Sequence, residues 1–146
     1  MHAPERYDCP FCHILKGGNE ARKEEIVYED DSVAVFPAKH HKIGNEGNLL
    51  VVSKSHIENL YDLPAGIAQP LLTATKLAAR VLKSVLECDG ITIRQNNEPA
   101  SGQDVWHYHI HVIPRYVGDN YVSAKWKVSP ERERFALAQK LRSATT

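Results

Sequence analysis

The chain has 146 residues, and its 18 Lys and Arg balance 18 Asp and Glu to a formal net charge of zero. That balance excludes a general electrostatic grip on nucleic acid or an anionic membrane, so a partner has to be recognised locally. With 42% apolar and 25% charged residues the composition is that of an ordinary globule, large enough for one domain, residues 1–146, around one core. No apolar run reaches the length of a membrane span and the polar start does not read as a secretion signal, so the expected compartment is the cytoplasm. Three cysteines, an odd number, fit ligands or packing there better than a disulfide framework.

Cys9-Pro10-Phe11-Cys12-His13 allows three readings. C-x-x-C-H is the pattern of c-type haem attachment, which calls for an exported chain. C-P-x-C matches a redox pair, which calls for a preceding strand where only irregular, largely polar residues stand. A zinc knuckle is the third reading, and needs two more ligands from elsewhere. Residues 12–16 read as the start of a short helix ended by Gly17 and Gly18.

Glu25 to Tyr28 and Ser32 to Phe36 read as strands around the turn Glu29-Asp30-Asp31. Pro37 to Asn48 reads as a loop, broken by Gly44 and Gly47 and carrying Lys39, His40, His41 and Lys42. Adjacent histidines point opposite ways in an extended chain, so His40 and His41 read as solvated. Leu49 to Ser53 is an apolar run, read as a buried strand that delivers His56 just past its end.

Pro64 to Cys88 predicts the one long helix. Leu71, Leu72, Thr75, Ala78, Ala79, Leu82, Val85 and Leu86 follow helical spacing, while Lys76, Arg80, Lys83 and Glu87 lie mostly outside. Pro70 marks its start or a kink, Asp89-Gly90 ends it, and Cys88 is expected to be buried and inert. Ile91 to Arg94 is the next strand. The polar turn from Asn97 to Gln103 offers backbone amides as a small nest for phosphate oxygens.

His107-Tyr108-His109-Ile110-His111-Val112-Ile113 alternates imidazole with apolar or aromatic side chains, which predicts a strand closed by Pro114. All three imidazoles then share one face. His107 and His111 lie about 13 Å apart along such a strand. Bonds of about 2 Å cannot gather all three rings on one metal ion, so the rings divide their labour. Packing, a metal site and a catalytic phosphate site remain open from the residues alone, imidazole being a poor core filler that titrates near neutrality. Arg115 to Lys127 reads as a loop with Tyr116, Tyr121 and Trp126. Pro130 to Ser143 reads as a C-terminal helix, within residues 128–146, whose Glu131-Arg132-Glu133-Arg134 run is a solvated face.

Gly102-Gln103-Asp104-Val105-Trp106-His107-Tyr108-His109-Ile110-His111-Val112-Ile113-Pro114-Arg115-Tyr116 resembles the signature of the histidine triad family of small nucleotide hydrolases and nucleotidyl transferases. Cys9 to Cys12, Val27 to Asp30, Val51 to Ile57 and Trp126-Lys127 resemble further blocks of that family in the same order, so the resemblance covers most of the chain. It implies an α+β fold, an antiparallel sheet of about five strands with one long packed helix and a C-terminal helix. It also implies a homodimer.

The resemblance is to the zinc-binding, bacterial-type branch, which implies Cys9, Cys12, His56 and His107 as ligands of a structural zinc that pins residues 1–20 to the sheet. It implies His109 as the nucleophile on an α-phosphorus, giving a nucleotidyl-histidine that water resolves. His111 then bonds a phosphate oxygen, with Asn96, Gln103 and Asp104 completing the substrate site and no catalytic metal. Three positions depart from the pattern. Asp104 stands where many relatives carry Ser or Thr, Pro37-Ala38-Lys39 where many place an Asp for the ribose, and Asn48 replaces a common histidine. The activity implied is hydrolysis of a nucleoside 5′-monophosphate derivative, a phosphoramidate or a dinucleoside polyphosphate. Nucleotidyl transfer to another acceptor is one alternative, and a zinc-stabilised nucleotide-binding or protein-interaction module with little turnover is another.

Overall fold

Leu49-Leu50-Val51-Val52-Ser53 is buried at every position because it is the middle strand of a sheet covered on both faces. The structure, a computed structural model, describes residues 1–16 and 23–146. Gly17 and Gly18, expected to end the first helix, lie outside the described residues.

The strands of the main sheet are β1 (Tyr28–Glu29), β2 (Val33–Pro37), β4 (Leu49–Ser53), β5 (Gly90–Arg94) and β6 (His109–Arg115), in the order β1-β2-β4-β6-β5. Every neighbouring pair is antiparallel. Asp30 closes the β1–β2 turn, its Oδ1 accepting from the amides of Ser32 and Val33. Side chains alternate across the pleat. Val33, Val35, Leu49, Val51, Ile110 and Val112 face one way, into the main core. Ala34, Phe36, Leu50 and Val52 face the other way and meet Cys9 and Phe11.

The main core is roofed by α2 (Ala65–Leu86), which buries Leu71, Ala74, Thr75, Ala78, Val81 and Leu82. Full burial of a side chain such as Leu82 is worth about 1.5–3 kcal/mol. The buried stripe keeps Leu71, Thr75, Ala78 and Leu82 of the expected one and adds Ala74 and Val81. Leu72 is 71% exposed, because the buried line through 71, 74/75, 78 and 81/82 leaves it about 100° round the barrel of the helix. Thr75 is tolerated there by donating its hydroxyl to the Leu71 carbonyl at 2.7 Å. Pro70 lies inside the helix and does not start it. The exit is earlier than Asp89-Gly90. Glu87 adopts the left-handed conformation, Lys83 ties down the Cys88 and Asp89 carbonyls, and Gly90 already belongs to β5.

Three further expectations change. The loop after Phe36 contains β3 (His40–Lys42), which pairs with β7 (Trp126–Val128) as a separate two-stranded ribbon. His41 is consequently buried rather than solvated, while His40 stays exposed. Pro114 does not close the triad strand, which continues to Arg115. Its carbonyl accepts from Asn45 Nδ2 at 2.9 Å, beyond the point where β4 pairing ends at Val112. In a strand the N–H and C=O of one residue point the same way, so the donor that proline lacks faces no ladder partner.

The C-terminal helix α3 (Glu131–Arg142) packs through Ala138 and Leu141, both fully buried. Its charged first turn is not wholly solvated, because Arg134 forms a 3.0 Å ion pair with Glu25 and both side chains are mostly buried. Among the described residues no helix is long and apolar enough to cross a membrane.

Candidate functional site

Two clusters are built side by side where β6 begins. The first starts at α1 (Pro10–Leu15), whose N-cap is Cys9 and whose first turn opens with Pro10. That spacing puts Cys9 and Cys12 about one helical turn apart on the same side. β4 ends at Ser53 and the chain then sets His56, while a bend just before β6 keeps His107 out of the ladder.

His107 is fully buried, and its Nε2–H donates to the Ser53 carbonyl at 2.7 Å. Its Nδ1 lone pair therefore faces the two thiols, 3.4 Å from Cys9 Sγ and 3.6 Å from Cys12 Sγ. His56 Nδ1 lies 3.3 Å from Cys12 Sγ. All four ligand atoms lie within 4.8 Å of one another. The edge of a tetrahedron with zinc–ligand bonds of about 2.0–2.3 Å is about 3.5 Å, so the donor set fits a four-coordinate zinc ion. Burial holds the His107 ring down to about 4, hence neutral, as a ligand must be. Burial and then the neighbouring Cys9 push the Cys12 thiol up to about 11, so two thiolates there need a cation between them.

The second cluster is His109 and His111. The Nδ1–H of His109 donates to the backbone carbonyl of His107 at 2.7 Å. Its Nε2 is thereby left as a lone pair. Burial depresses its pKa and the ring is 4% exposed, so it stands neutral. His111 is arranged the other way. Asn48 Nδ2 lies 3.4 Å from both the His111 Nδ1 and the His40 carbonyl, which fixes the amide as a donor towards the ring. Nε2 of His111 then carries the proton. Burial, His109 and Arg94 hold this ring down to about 3. The rings meet edge to face with centroids 5.1 Å apart, one presenting an acceptor nitrogen and the other a donor.

Both open on a cleft of about 1080 Å³. Phe11, Ile14, Phe36, Pro37 and Val105 form an apolar wall, and Arg94, Asn96, Asp104 and Trp126 stand among its polar and aromatic parts. Asp104 projects into solvent, 84% exposed, with Oδ1 4.0 Å from His109 Nε2. Pro37, Ala38 and Lys39, the run where the resemblance implies a missing ribose-binding carboxylate, all line the cleft.

Gln103 is not brought into the cleft. It is buried, with Nε2 donating to the carbonyls of Glu58 at 2.7 Å and Val105 at 3.1 Å, and Oε1 accepting from the Glu98 amide at 2.7 Å. The amides of Ser101, Gly102 and Gln103 bond within the turn, to Glu98 and Pro99, and are not available as a phosphate nest. Sequence reasoning missed Arg94, which β5 places directly opposite His111. The signal for it is a register between strands, which the sequence of one strand does not carry. Asn48 was visible only as a departure from a pattern, and its bond to His111 needed the fold.

These features meet in one group of proteins. The HIT domain model matches residues 19–118, and the chain belongs to this histidine triad family. It is similar to Protein hit of Bacillus subtilis (strain 168), with 36% identity over 127 residues that make up 87% of this chain and 83% of that one. Adenylylsulfatase HINT3 of Arabidopsis thaliana is 30% identical over 112 residues, 74% of this chain and 52% of that protein. The crystal structure of a Zn-bound histidine triad family protein from Mycobacterium smegmatis matches with a TM-score of 0.77 at 29% identity, covering 94% of this chain and 93% of that one.

Proposed function

We propose that the chain is a single-domain nucleotide hydrolase that cleaves nucleoside 5′-monophosphate derivatives through a nucleotidyl-His109 intermediate. The observation that carries this reading is the opposed pair of imidazoles, His109 with a free Nε2 lone pair and His111 with a proton on Nε2. A neutral, desolvated imidazole is a competent nucleophile, and a neighbouring donor compensates charge that develops on the phosphoryl oxygens. Nε2 of His109 forms the bond to the α-phosphorus as the bond to the leaving group breaks. Water then adds to phosphorus, the P–N bond breaks, the nucleoside monophosphate leaves, and a proton passes to solvent.

Asn96 lines the cleft beside this pair and holds phosphoryl oxygen with His111. Gln103 acts as a positioning residue that ties the turn before β6 to Glu58. Asp104, with Oδ1 4.0 Å from His109 Nε2, borders the reacting ring as part of the substrate site. Zinc bound by Cys9, Cys12, His56 and His107 would be structural, neutralising the thiolates and fastening the N-terminal arm to the sheet. The similarity to an adenylylsulfatase supports a hydrolytic reaction at a nucleotide phosphorus.

The test is release of nucleoside monophosphate from a panel of phosphoramidates and dinucleoside polyphosphates, with acid-quench trapping of a nucleotidyl adduct. Release and adduct that both disappear in His109→Ala carry the hydrolase reading, and release favoured by an added alcohol or phosphate acceptor would make it a transferase. Nucleotide binding without release would favour the second reading, a zinc-stabilised binding module, to which the carboxylate at Asp104 and the lack of an Asp in the run Pro37-Ala38-Lys39 lend weight. Assembly as a homodimer is part of the proposal and is checked by light scattering.

A further inference from the structure

Arg94 ends β5 directly opposite His111. Cross-strand partners put their side chains on the same face, so its guanidinium stands beside the His111 ring and lines the same cleft. Its surroundings leave it short of acceptors. NH1 reaches the hydroxyl of Tyr121 at 3.3 Å, Cζ lies 6.0 Å from the centre of the Trp126 ring, and Nε is buried with no partner. Among the described residues no carboxylate lies within ion-pair distance of it. The two neighbouring arginines differ. Arg115 is neutralised by Asp119 at 2.8 Å, and Arg134 by Glu25 at 3.0 Å. Asp104 is turned to His109 instead, and at 84% exposure its charge is screened by water.

A guanidinium nitrogen held out of water without an acceptor is costly unless a ligand supplies one. Its planar fork matches two oxygens of a phosphate or sulfate. The single negative charge of an α-phosphoryl group already has the His111 proton and the Asn96 amide to meet it. A permanent cation beside them calls for a second anionic group.

Resting on the hydrolase reading above, we propose that Arg94 is a specificity residue that holds an anionic leaving group. The substrate class is then a nucleoside 5′-phosphate anhydride whose displaced half is itself an oxyanion, a phosphate chain or a sulfate, rather than a phosphoramidate. When His109 Nε2 bonds to phosphorus, the bridging P–O bond breaks and its electron pair stays on the bridging oxygen. That oxygen departs as an anion paired with Arg94 and takes up no proton. An amine leaving group would need a proton and would gain nothing from this cation.

The test compares kcat/KM for the native protein, Arg94→Ala and Arg94→Lys on three substrates with the same nucleoside: a dinucleoside polyphosphate, a nucleoside phosphosulfate and an unsubstituted phosphoramidate. Arg94→Ala is expected to lose about 10- to 100-fold more on the anhydrides than on the phosphoramidate, with Lys restoring part of it. A loss confined to one anhydride supports the proposal and names the oxyanion. Equal losses on all three, or none, overturn it. If the native protein turns over nothing, the hydrolase reading fails by itself. Arg94 is then decided by binding of nucleoside triphosphate against monophosphate in a His109→Ala background. A triphosphate preference that falls about tenfold or more with Arg94→Ala supports the anion site, and an unchanged ratio overturns it.

Discussion

The carbonyl oxygen of His107 accepts the Nδ1 proton of His109 at 2.7 Å, while the His107 ring turns away to Ser53 and the two thiols. One residue therefore belongs to the Cys/His cluster through its side chain and to the histidine cleft through its backbone. Chelation of zinc is expected to lower the thermal midpoint by more than about 10 °C. It should also lower turnover in protein that is still folded, because the carbonyl that fixes the His109 tautomer loses its anchor. Melting curves and initial rates with and without chelator, followed by zinc add-back, check both. A melt that chelator leaves unmoved would remove the structural role.

Asn48 holds His111 in the tautomer that donates from Nε2. Asn48→Ala frees the ring to exchange its proton between nitrogens. The expected outcome is a fall of about tenfold in kcat with little change in KM, the size of one hydrogen bond lost in the transition state. Nitrogen NMR of the His111 ring reads the tautomer directly and should move from one dominant form to a mixture.

His111 links stability to acidity. Burial, His109 and Arg94 hold its folded pKa down to about 3, against an ordinary imidazole near 6.5. As pH falls below about 6.5 the unfolded chain binds a proton that the folded chain refuses, so stability is fully present above that value and is lost progressively towards about pH 3. Denaturant melts between about pH 7 and pH 4 should show this decline, and His111→Asn should flatten it. A slope that the substitution leaves unchanged would mean that other groups carry it.

Gln103 satisfies an amide and two carbonyls in a buried loop. Gln103→Ala strands those partners and is expected to cost about 1–3 kcal/mol in urea unfolding. Because the side chain is off the cleft, the bound geometry should suffer through displacement of Asp104 and Val105. Gln103→Glu, which sets a buried carboxylate oxygen against the Glu58 and Val105 carbonyls, should cost at least as much as the alanine variant at neutral pH.

What could be read from the sequence follows from how far each signal reaches along the chain. Leu49 to Ser53 and the helix after Pro64 announce themselves by local pattern. The alternation of His109, Ile110, His111 and Val112 likewise fixes which side chains share a face. Cys9, Cys12, His56 and His107 came from resemblance, and the structure brings those four together. His40 to Lys42 shows no pattern of its own, because its strand exists only by pairing with Trp126 to Val128 far along the chain. Pro114 misled for a related reason: whether proline ends a strand depends on whether a partner faces its nitrogen. Arg94 enters the cleft without having been expected there and Gln103 leaves it, because each is set by contacts between segments distant in sequence.

Phe11 meets the rings of Phe36, His107 and His109 edge-on, with centroids 5.1–5.8 Å away. It sits between the two cysteines, so the clip that staples the front of the chain also carries one side of the chamber. The imidazoles ride on the rigid sheet, but this panel is mounted separately. A change at a single position in the clip would reshape what fits against the two imidazoles and leave the strand that bears them untouched.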